Sequence, residues 1–458
     1  MKKEQVELFE SDNQWMAIFK MVGPALIAIL VMLIYNMADM VFVGQTGETA
    51  QVAAISVVSP VFNIIMSVAM LISGGGTVLI SKDLGAKDME HAKIVSSLCI
   101  WAASILGILV GGLIILFRHP LLLLLGATPD IEKYALQYMV ILAMGAPLLL
   151  LANMLGQVLR AEGAVTDGLI GNLIGTVINI ILDPIFILGM NMGVVGAAVA
   201  TVIGNIFAVV YYGFYMKRRA VVLNAKIQYA IKRPIYIFSV MALGVPNSLS
   251  TLLSGLANSF ANQLLAKYGS DSIAANTAAG RVNLIIVMVL MGICMGAQPL
   301  IAYNYGAGNY IRLAAVIKRL LILNLLGGAV MSGAVIILRT EIIGLFLKDE
   351  AVAATAESIL SILMISSPFL GLFYLGTNFL QATGKAMEAT IVSTMQKGIL
   401  LIPSLFIFEY IYKFMGIRLA YVVADFGSVI IAVILLIIEW KKTVEANQKR
   451  RVDYEYCA

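Results

Sequence analysis

Residues 159–163 read Leu-Arg-Ala-Glu-Gly, and 221 positions later residues 380–384 read Leu-Gln-Ala-Thr-Gly. Further matches recur within two residues of that offset: Gly85-Ala86 with Gly306-Ala307, Pro24 with Pro246, and Met192-Gly193 with Met415-Gly416. Each match alone is weak. A nearly constant offset over most of the chain nevertheless predicts that the sequence contains two copies of one structural unit.

Each copy is strongly apolar. Hydrophobic residues make up 60% of the chain and charged residues 12%, and the mean hydropathy is +0.94. Soluble proteins carry about 25% charged residues, and a helix needs about 20 apolar residues to cross a bilayer. Twelve apolar runs exceed that length: 15–43, 50–81, 92–117, 130–158, 164–189, 193–217, 236–266, 272–304, 313–338, 352–381, 386–412 and 416–440. The sequence therefore predicts an all-α polytopic membrane protein.

Twelve spans in two copies give two pseudo-symmetric six-helix lobes. We expect an N-lobe at 1–220, a cytoplasmic linker at 221–235 and a C-lobe at 236–458. Because six is even, both copies have the same orientation in the membrane. This predicts a pseudo-two-fold axis along the membrane normal and a substrate path between the lobes.

Positive charges predict the orientation. With the amino terminus inside, 22 of the 31 Lys and Arg residues fall in inner loops and tails, and 7 fall in outer loops, Arg418 among them. Inner loops of membrane proteins are enriched in Lys and Arg. We therefore expect both termini in the cytoplasm of a multi-pass protein in the cell (inner) membrane. The net charge of +5 is too modest to indicate nucleic-acid binding.

Ionisable and polar side chains inside a bilayer are costly, so each is a functional candidate. In the first lobe, span 5 carries Thr176, Asn179 and Asp183 on one helix face, and span 6 carries Thr201. Span 1 carries Tyr35, Asn36 and Asp39 on one face, with Pro24 as a candidate hinge. A buried aspartate can exchange a proton or ligate Na⁺ with Asn and Thr oxygens. Inter-helix hydrogen bonding is the structural alternative, above all for the Ser and Thr positions.

The second lobe differs in charge. Asn258 stands where the first lobe has Asp39, and residues 401–404 contain no acid to match Asp183. Secondary candidates are Asn258, Arg281, Lys397 and Asp425, of which Arg281 and Lys397 have a pairing role with an acid such as Asp425 as their alternative. Glu162 lies close to the predicted end of a span, from which its side chain can reach the interface.

The chain resembles the multidrug and toxic compound extrusion (MATE) family over nearly its whole length. The residues that carry the resemblance are 193–201, 159–163, and Asp39 followed by Val41-Phe42-Val43-Gly44. The resemblance implies an antiporter that exports organic cations and drugs in exchange for H⁺ or Na⁺, without a cofactor. In one branch of the family the coupling cluster would correspond to Tyr35, Asp39, Asn179, Asp183 and Thr201. A Na⁺ site would fall on Asp39, Asp183 and Asn179, and Pro24 matches a proline associated with helix bending.

The chain departs from another branch, which places carboxylates in spans 7 and 10. Span 7 contains no acid, and span 10 has only Glu357, close to its start. This counts against a Na⁺ site of that kind in the second lobe.

Three alternatives to a multidrug antiporter remain. A flippase for lipid-linked precursors would have related architecture, but its cavity should hold more basic residues than Arg281 and Lys397. A passive channel suits the duplicated lobes and isolated carboxylates less well than alternating access does. An intramembrane enzyme would need a nucleophile–base pair or a metal site, yet both histidines lie close to helix ends and Cys99, Cys294 and Cys457 are scattered. We therefore expect a transporter rather than an enzyme, functional as a monomer.

Overall fold

The computed structural model describes the backbone of residues 9–11, 13–44, 48–125, 127–345, 347 and 349–457. Side chains are described at the same positions, except at 32–41, 43, 44, 49, 52, 266, 270 and 444–457. Everything reported below concerns these residues. Their regular structure is entirely helical, as predicted.

Eleven helices among the described residues are long and apolar enough to cross a membrane. The last, Ala386–Thr443, has 58 residues and contains two of the predicted spans, because the backbone leaves the helical conformation at Lys413. The twelve spans are Gln14–Gly44, Thr49–Gly85, Met89–Leu116, Pro129–Ala161, Val165–Gly189, Val194–Arg218, Tyr236–Ala266, Ser270–Gly306, Tyr310–Ile337, Glu350–Ala382, residues 386–412 and residues 414–457. The prediction of twelve helical spans is confirmed.

Helix ends repeat at the offset found in the sequence. Span 3 begins where the Asp88 side chain accepts a hydrogen bond from the backbone N–H of His91 (3.0 Å). Span 9 begins in the same way, with the Asn309 side chain accepting from the N–H of Arg312 (3.1 Å). Such caps satisfy N–H groups that have no partner inside the helix. Asp88 and Asn309 are 221 positions apart, so the two copies start this helix with different residues that make the same contact.

Short helices also recur. Arg118–Leu124 follows span 3 and Arg339–Gly344 follows span 9, so both begin at the repeat offset. A further short helix, Ile227–Lys232, lies in the predicted linker. The duplicated unit is therefore a structural repeat as well as a sequence repeat.

The chain divides into two compact units. The first comprises Phe19–Ser248 with Met1–Asp12, and the second Leu249–Ala458 with Asn13–Ile18. In the first unit, span 4 packs against spans 2, 3 and 6, and in the second, span 10 packs against spans 8, 9 and 12. The fourth helix of each copy is thus central to its unit. The lobe boundaries at 220 and 236 stay a prediction.

Glu162 fastens the predicted linker to the first unit. The side chain is 2% exposed, and its Oε2 accepts hydrogen bonds from the backbone N–H groups of Val221 (3.2 Å), Val222 (3.1 Å) and Leu223 (3.4 Å). The sequence placed Glu162 within reach of the interface. It is buried instead, because the chain after span 6 folds over the carboxylate and supplies N–H donors.

The second unit joins the corresponding two segments through ion pairs, and here the acid lies on the later segment. Glu439, at the end of the apolar part of span 12, accepts from Lys385 (3.1 Å) in the loop between spans 10 and 11. Lys442 makes a second ion pair with it at 2.5 Å. In both units, the loop after the fourth helix is therefore tied to the chain at or after the end of the sixth.

Glu162 should make stability depend on pH. Burial raises the pKa of Glu162 above 4.5, although the amides of residues 221–223 and the Tyr215 hydroxyl oppose that shift. A raised pKa favours the protonated form in the folded protein, so its contribution to stability is present below pH 4.5 and is lost as pH rises through the raised pKa. We expect the melting temperature of the wild type to fall relative to that of Glu162→Gln over the pH range that begins at 4.5 and passes through the raised pKa.

Thermal unfolding of both proteins in detergent across that range measures the difference. Glu341→Gln, which replaces an exposed acid, is the matched control. A difference between wild type and Glu162→Gln that stays constant with pH would contradict this assignment.

Candidate functional site

Span 5 ends its α-helical part at a fully buried acid. Asp183 is 0% exposed, Asn179 lies one turn earlier at 3%, and Thr201 on span 6 is 6% exposed. The Asn179 amide lies between the other two. With its nitrogen towards Asp183 Oδ2 (3.2 Å) and its oxygen towards the N–H of Thr201 (3.0 Å), both ends of the amide are satisfied. The structure thus brings together three of the predicted site residues.

The helix changes its winding directly after the acid. Residues Pro184–Gly189 form a π-helical segment, in which hydrogen bonds reach one residue further than in an α-helix. Pro184 has no N–H and so leaves a carbonyl of the preceding turn without its usual donor. Such π segments inside α-helices frequently mark functional sites. Asp183 therefore lies at the junction between two windings of span 5.

Two glycines let spans 5 and 6 approach closely enough for this contact. A Cβ added at Gly204 would lie 2.5 Å from the carbonyl oxygen of Gly175 and 3.2 Å from the Asn179 Cβ. A Cβ added at Gly175 would lie 2.9 Å from the carbonyl oxygen of Gly204. Small residues at a helix interface permit such close backbone contact in membranes. The glycine pair thereby sets the distance from Asn179 to span 6.

The start of span 6 is fixed by a polar contact from span 2. The backbone N–H of Val194 donates to Gln51 Oε1 at 2.9 Å, and Gln51 Nε2 donates to Glu48 Oε2 at 2.7 Å. The Tyr134 hydroxyl donates to the same Glu48 oxygen at 2.9 Å. Thr201 follows seven residues after Val194, so this network positions the helix that carries it.

Gly193 makes that contact possible. Its φ is +54°, and a Cβ at this position would lie 2.0 Å from Gln51 Oε1. For Gly193→Ala we expect the free energy of unfolding to fall by about 1–3 kcal/mol, because φ +54° with ψ −131° is a conformation that alanine rarely adopts. The broken Gln51 hydrogen bond should remove about 1 kcal/mol more. Thermal unfolding in detergent measures the effect. The control is Gly189→Ala, whose Cβ would meet only Pro184 O at 3.8 Å. Equal shifts for both variants would contradict the argument.

The structure describes the side chains of only some of the remaining residues predicted in the first lobe. Pro24 is half-buried within the helix Gln14–Gly44. Thr176 is half-buried on span 5, one turn before Asn179. Tyr35, Asn36 and Asp39 belong to the same helix as Pro24, but their side chains lie outside the described residues. Their part in the site stays a prediction.

The second unit contains a buried acid on span 12. Asp425 is 7% exposed and accepts hydrogen bonds from Ser366 Oγ on span 10 (2.8 Å) and Gln396 Nε2 on span 11 (3.0 Å). Gln396 and Lys397 lie on a π-helical segment, Met395–Leu401. The ammonium of the half-buried Lys397 is within electrostatic range of Asp425. Asn258 and Arg281 are exposed.

Sequence reasoning did not find Ser366 and Gln396. Both are neutral, whereas three of the four residues predicted in the second lobe, Arg281, Lys397 and Asp425, are ionisable. A signal was present in the sequence, since uncharged polar residues in a span are also costly to bury alone. Ser366 is 1% exposed and Gln396 2%, so the acid is enclosed by its neutral partners.

In chemical terms, the first-unit cluster offers carboxylate, amide and hydroxyl oxygens in a buried setting. Hard cations prefer such oxygen ligands, and a buried carboxylate can also take up a proton. No group of three or more His, Cys, Asp and Glu side chains that could hold a metal occurs in the part of the chain that the structure describes. The Asp183 cluster contains one acid, so any cation there would depend on neutral oxygens as well.

Comparison with known proteins shows the family to which the chain belongs. A family model described as MatE matches residues 24–185 and again residues 246–407, so its two matches are 222 residues apart. The multidrug export protein MepA of Staphylococcus aureus strain NCTC 8325 is 32% identical over 449 residues, which are 98% of this chain and 99% of that protein. MepA of Staphylococcus saprophyticus is 31% identical over 425 residues, 93% of this chain and 94% of that protein.

Solved structures have the same fold. The crystal structure of MATE in complex with MaL6 superposes with a TM-score of 0.91 at 21% identity, covering 97% of this chain and 100% of that one. A mutant form of VcmN, a MATE transporter of Vibrio cholerae, superposes with a TM-score of 0.88 at 23% identity, covering 96% of this chain and 99% of that one. The fold, the doubled family match and the near-full-length relatives agree, and the chain belongs to the MATE family of efflux transporters.

Proposed function

We propose that this protein is a secondary active multidrug exporter, which carries small organic, often cationic, compounds out of the cell by alternating access in exchange for H⁺ or Na⁺. It would lie in the cytoplasmic membrane with both termini in the cytoplasm and work as a monomer. The observation that carries the proposal is the buried Asp183–Asn179–Thr201 cluster at the π-helical junction of span 5. Similarity to the multidrug export protein MepA supports the choice of substrate.

The cluster suits ion coupling for a physical reason. A buried carboxylate is costly when ionised and alone, and much less so when it is protonated or bound to a cation. Occupancy by the ion therefore changes the free energy of the conformation that buries the acid. An exporter needs such a difference, because a ligand shifts a conformational equilibrium only through its differential affinity for the two states.

The test is transport of a fluorescent cationic dye in proteoliposomes, with a pH gradient and a Na⁺ gradient imposed separately. We expect dye movement to follow one of the two gradients, which identifies the coupling ion. Asp39→Asn should remove gradient-driven movement. Asp130→Asn, which replaces an exposed acid at the start of span 4, is the control and should retain it.

Two results would contradict the proposal. Dye movement that ignores both gradients would exclude coupled antiport. Gradient-driven movement that survives both Asp39→Asn and Asp183→Asn would exclude the first-unit site, and Asp425 with Ser366 and Gln396 would become the next place to test.

A further inference from the structure

Arg418 is a buried cation in the second unit, although the sequence placed it in an outer loop. It is 6% exposed, close to the start of span 12. Every partner that the described residues offer it is neutral. Its Nη1 donates to Ser358 Oγ (3.2 Å) and contacts Met415 Sδ (3.4 Å), and the guanidinium carbon lies 4.1 Å from the centre of the Phe414 ring. Its Nε is buried and has no acceptor among the described residues.

Burying the Arg418 guanidinium in this way is unfavourable, because its charge is unpaired and one of its donors has no acceptor among the described residues. A buried charge is strongly destabilising unless another group pairs with it, and an unsatisfied buried donor adds a further cost. The stacking on Phe414 offsets only part of this cost. A guanidinium has five N–H donors in a planar fork, which matches the oxygens of a carboxylate or a phosphate. An oxyanion is the kind of ligand that would complete the hydrogen bonds of this fork.

The surroundings indicate where that oxyanion comes from. Lys413, where spans 11 and 12 meet, is five residues before Arg418. Beside it, Tyr410 is 79% exposed, Tyr412 54% and Met415 48%. Exposed aromatic residues at the end of a span mark the depth of the lipid headgroups. A phospholipid places its phosphate at the same depth.

We propose that Arg418 binds the phosphate group of a membrane phospholipid where spans 10 and 12 meet. Ser358, half-buried on span 10, accepts a hydrogen bond from Nη1, and the described residues give Nε no acceptor. The phosphate provides the negative charge that the described part of the second unit does not itself place beside Arg418. The acyl chains would lie along Met415, Leu419 and Val423, which follow one another at one-turn spacing on span 12 and are exposed, half-buried and exposed in that order.

The experiment uses the full chain, delipidated in detergent, with binding followed by native mass spectrometry and thermal unfolding. Phosphatidylglycerol and phosphatidylcholine are expected to bind and to raise the melting temperature. Diacylglycerol, which has no phosphate, is expected to do neither. Arg418→Met should weaken phosphatidylglycerol binding by about tenfold, because it removes a charged hydrogen-bonding contact, and this fold-change corresponds to about 1.4 kcal/mol. Arg339→Met, which removes an exposed arginine of the same unit, is the control.

Further arms make the result decisive. If inorganic phosphate stabilises the wild type as well as the phospholipids do, the oxyanion site stands and its source is a free anion. Arg418→Lys keeps the charge without the fork and should bind phosphatidylglycerol less tightly than the wild type does, which supplies the test should the methionine variant not fold. Wild-type binding by either variant, or equal binding of diacylglycerol and phosphatidylglycerol, would overturn the proposal.

Discussion

Asp183→Asn is expected to abolish gradient-driven dye transport, reducing it to the level of liposomes without protein. The substitution keeps the size of the side chain and its capacity for hydrogen bonds, but asparagine cannot exchange a proton or offer a charge to Na⁺. Asp183 is 0% exposed and is the one acid among the described residues of its cluster, so neither Asn179 nor Thr201 can supply the lost charge. The proteoliposome assay measures the effect, and equilibrium dye binding without a gradient separates coupling from binding.

A matched control lies on the same span. Asp167 is in the first turn of span 5, where it pairs with Arg219 (3.6 Å) and accepts from the Tyr211 hydroxyl (2.9 Å). Pairs of this partly exposed kind contribute about 1 kcal/mol or less. Asp167→Asn should therefore keep most of the transport. Equal losses in the two variants would show that span 5 tolerates no change of charge, and would remove the special role of Asp183.

Gly204→Ala is expected to destabilise the protein by about 1–3 kcal/mol, which is the usual cost of adding a methyl group to a well-packed contact. It is also expected to impair transport. The new Cβ would lie 2.5 Å from the carbonyl oxygen of Gly175, which belongs to the backbone and cannot rotate away. Spans 5 and 6 must then separate. The separation would weaken the contact between Asn179 and the backbone of Thr201 (3.0 Å). Thermal unfolding and dye transport measure the two effects.

Gly213→Ala is the matched control, because it makes the same substitution on span 6 at a position away from span 5. A Cβ added at Gly213 would meet no atom within 4 Å. Alanine favours a helix over glycine by about 0.8–1 kcal/mol, so this variant should be as stable as the wild type or more so. If both variants lost stability alike, the close approach of spans 5 and 6 would not be the cause.

Much of the fold could be predicted from the sequence because its two strongest signals are long-range. Apolar runs of spanning length and a repeat offset of about 221 residues survive many local substitutions. The break between spans 11 and 12 at Lys413 was predicted for the same reason, since the apolar runs stop at 412 and resume at 416. These features depend on bulk hydrophobicity rather than on particular partners.

The details that depend on particular partners could not be predicted. Lys87 has a φ of +63° where the second copy has Gly308 at +68°, so the glycine preference is visible in only one copy. The spacing of Asn179 and Asp183 on one helix was readable, but their proximity to Thr201 depends on how spans 5 and 6 pack. The burial of Asp425 by Ser366 and Gln396 joins residues 29 to 59 positions apart. No periodicity within one span carries that information.

The two fastenings described for Glu162 and Glu439 say something about how duplicated proteins diverge. In the first unit the loop contributes the acid and the following chain contributes backbone amides, whereas in the second the loop contributes Lys385 and the chain contributes the acid. At the 221-residue offset, Thr383 stands where the first unit has Glu162, and Lys385 stands where it has Ala164. Both units join the same two segments, with the acid on the loop in the first unit and on the later part of the chain in the second. The choice of segments that are joined therefore agrees between the two units, whereas the residues that join them differ.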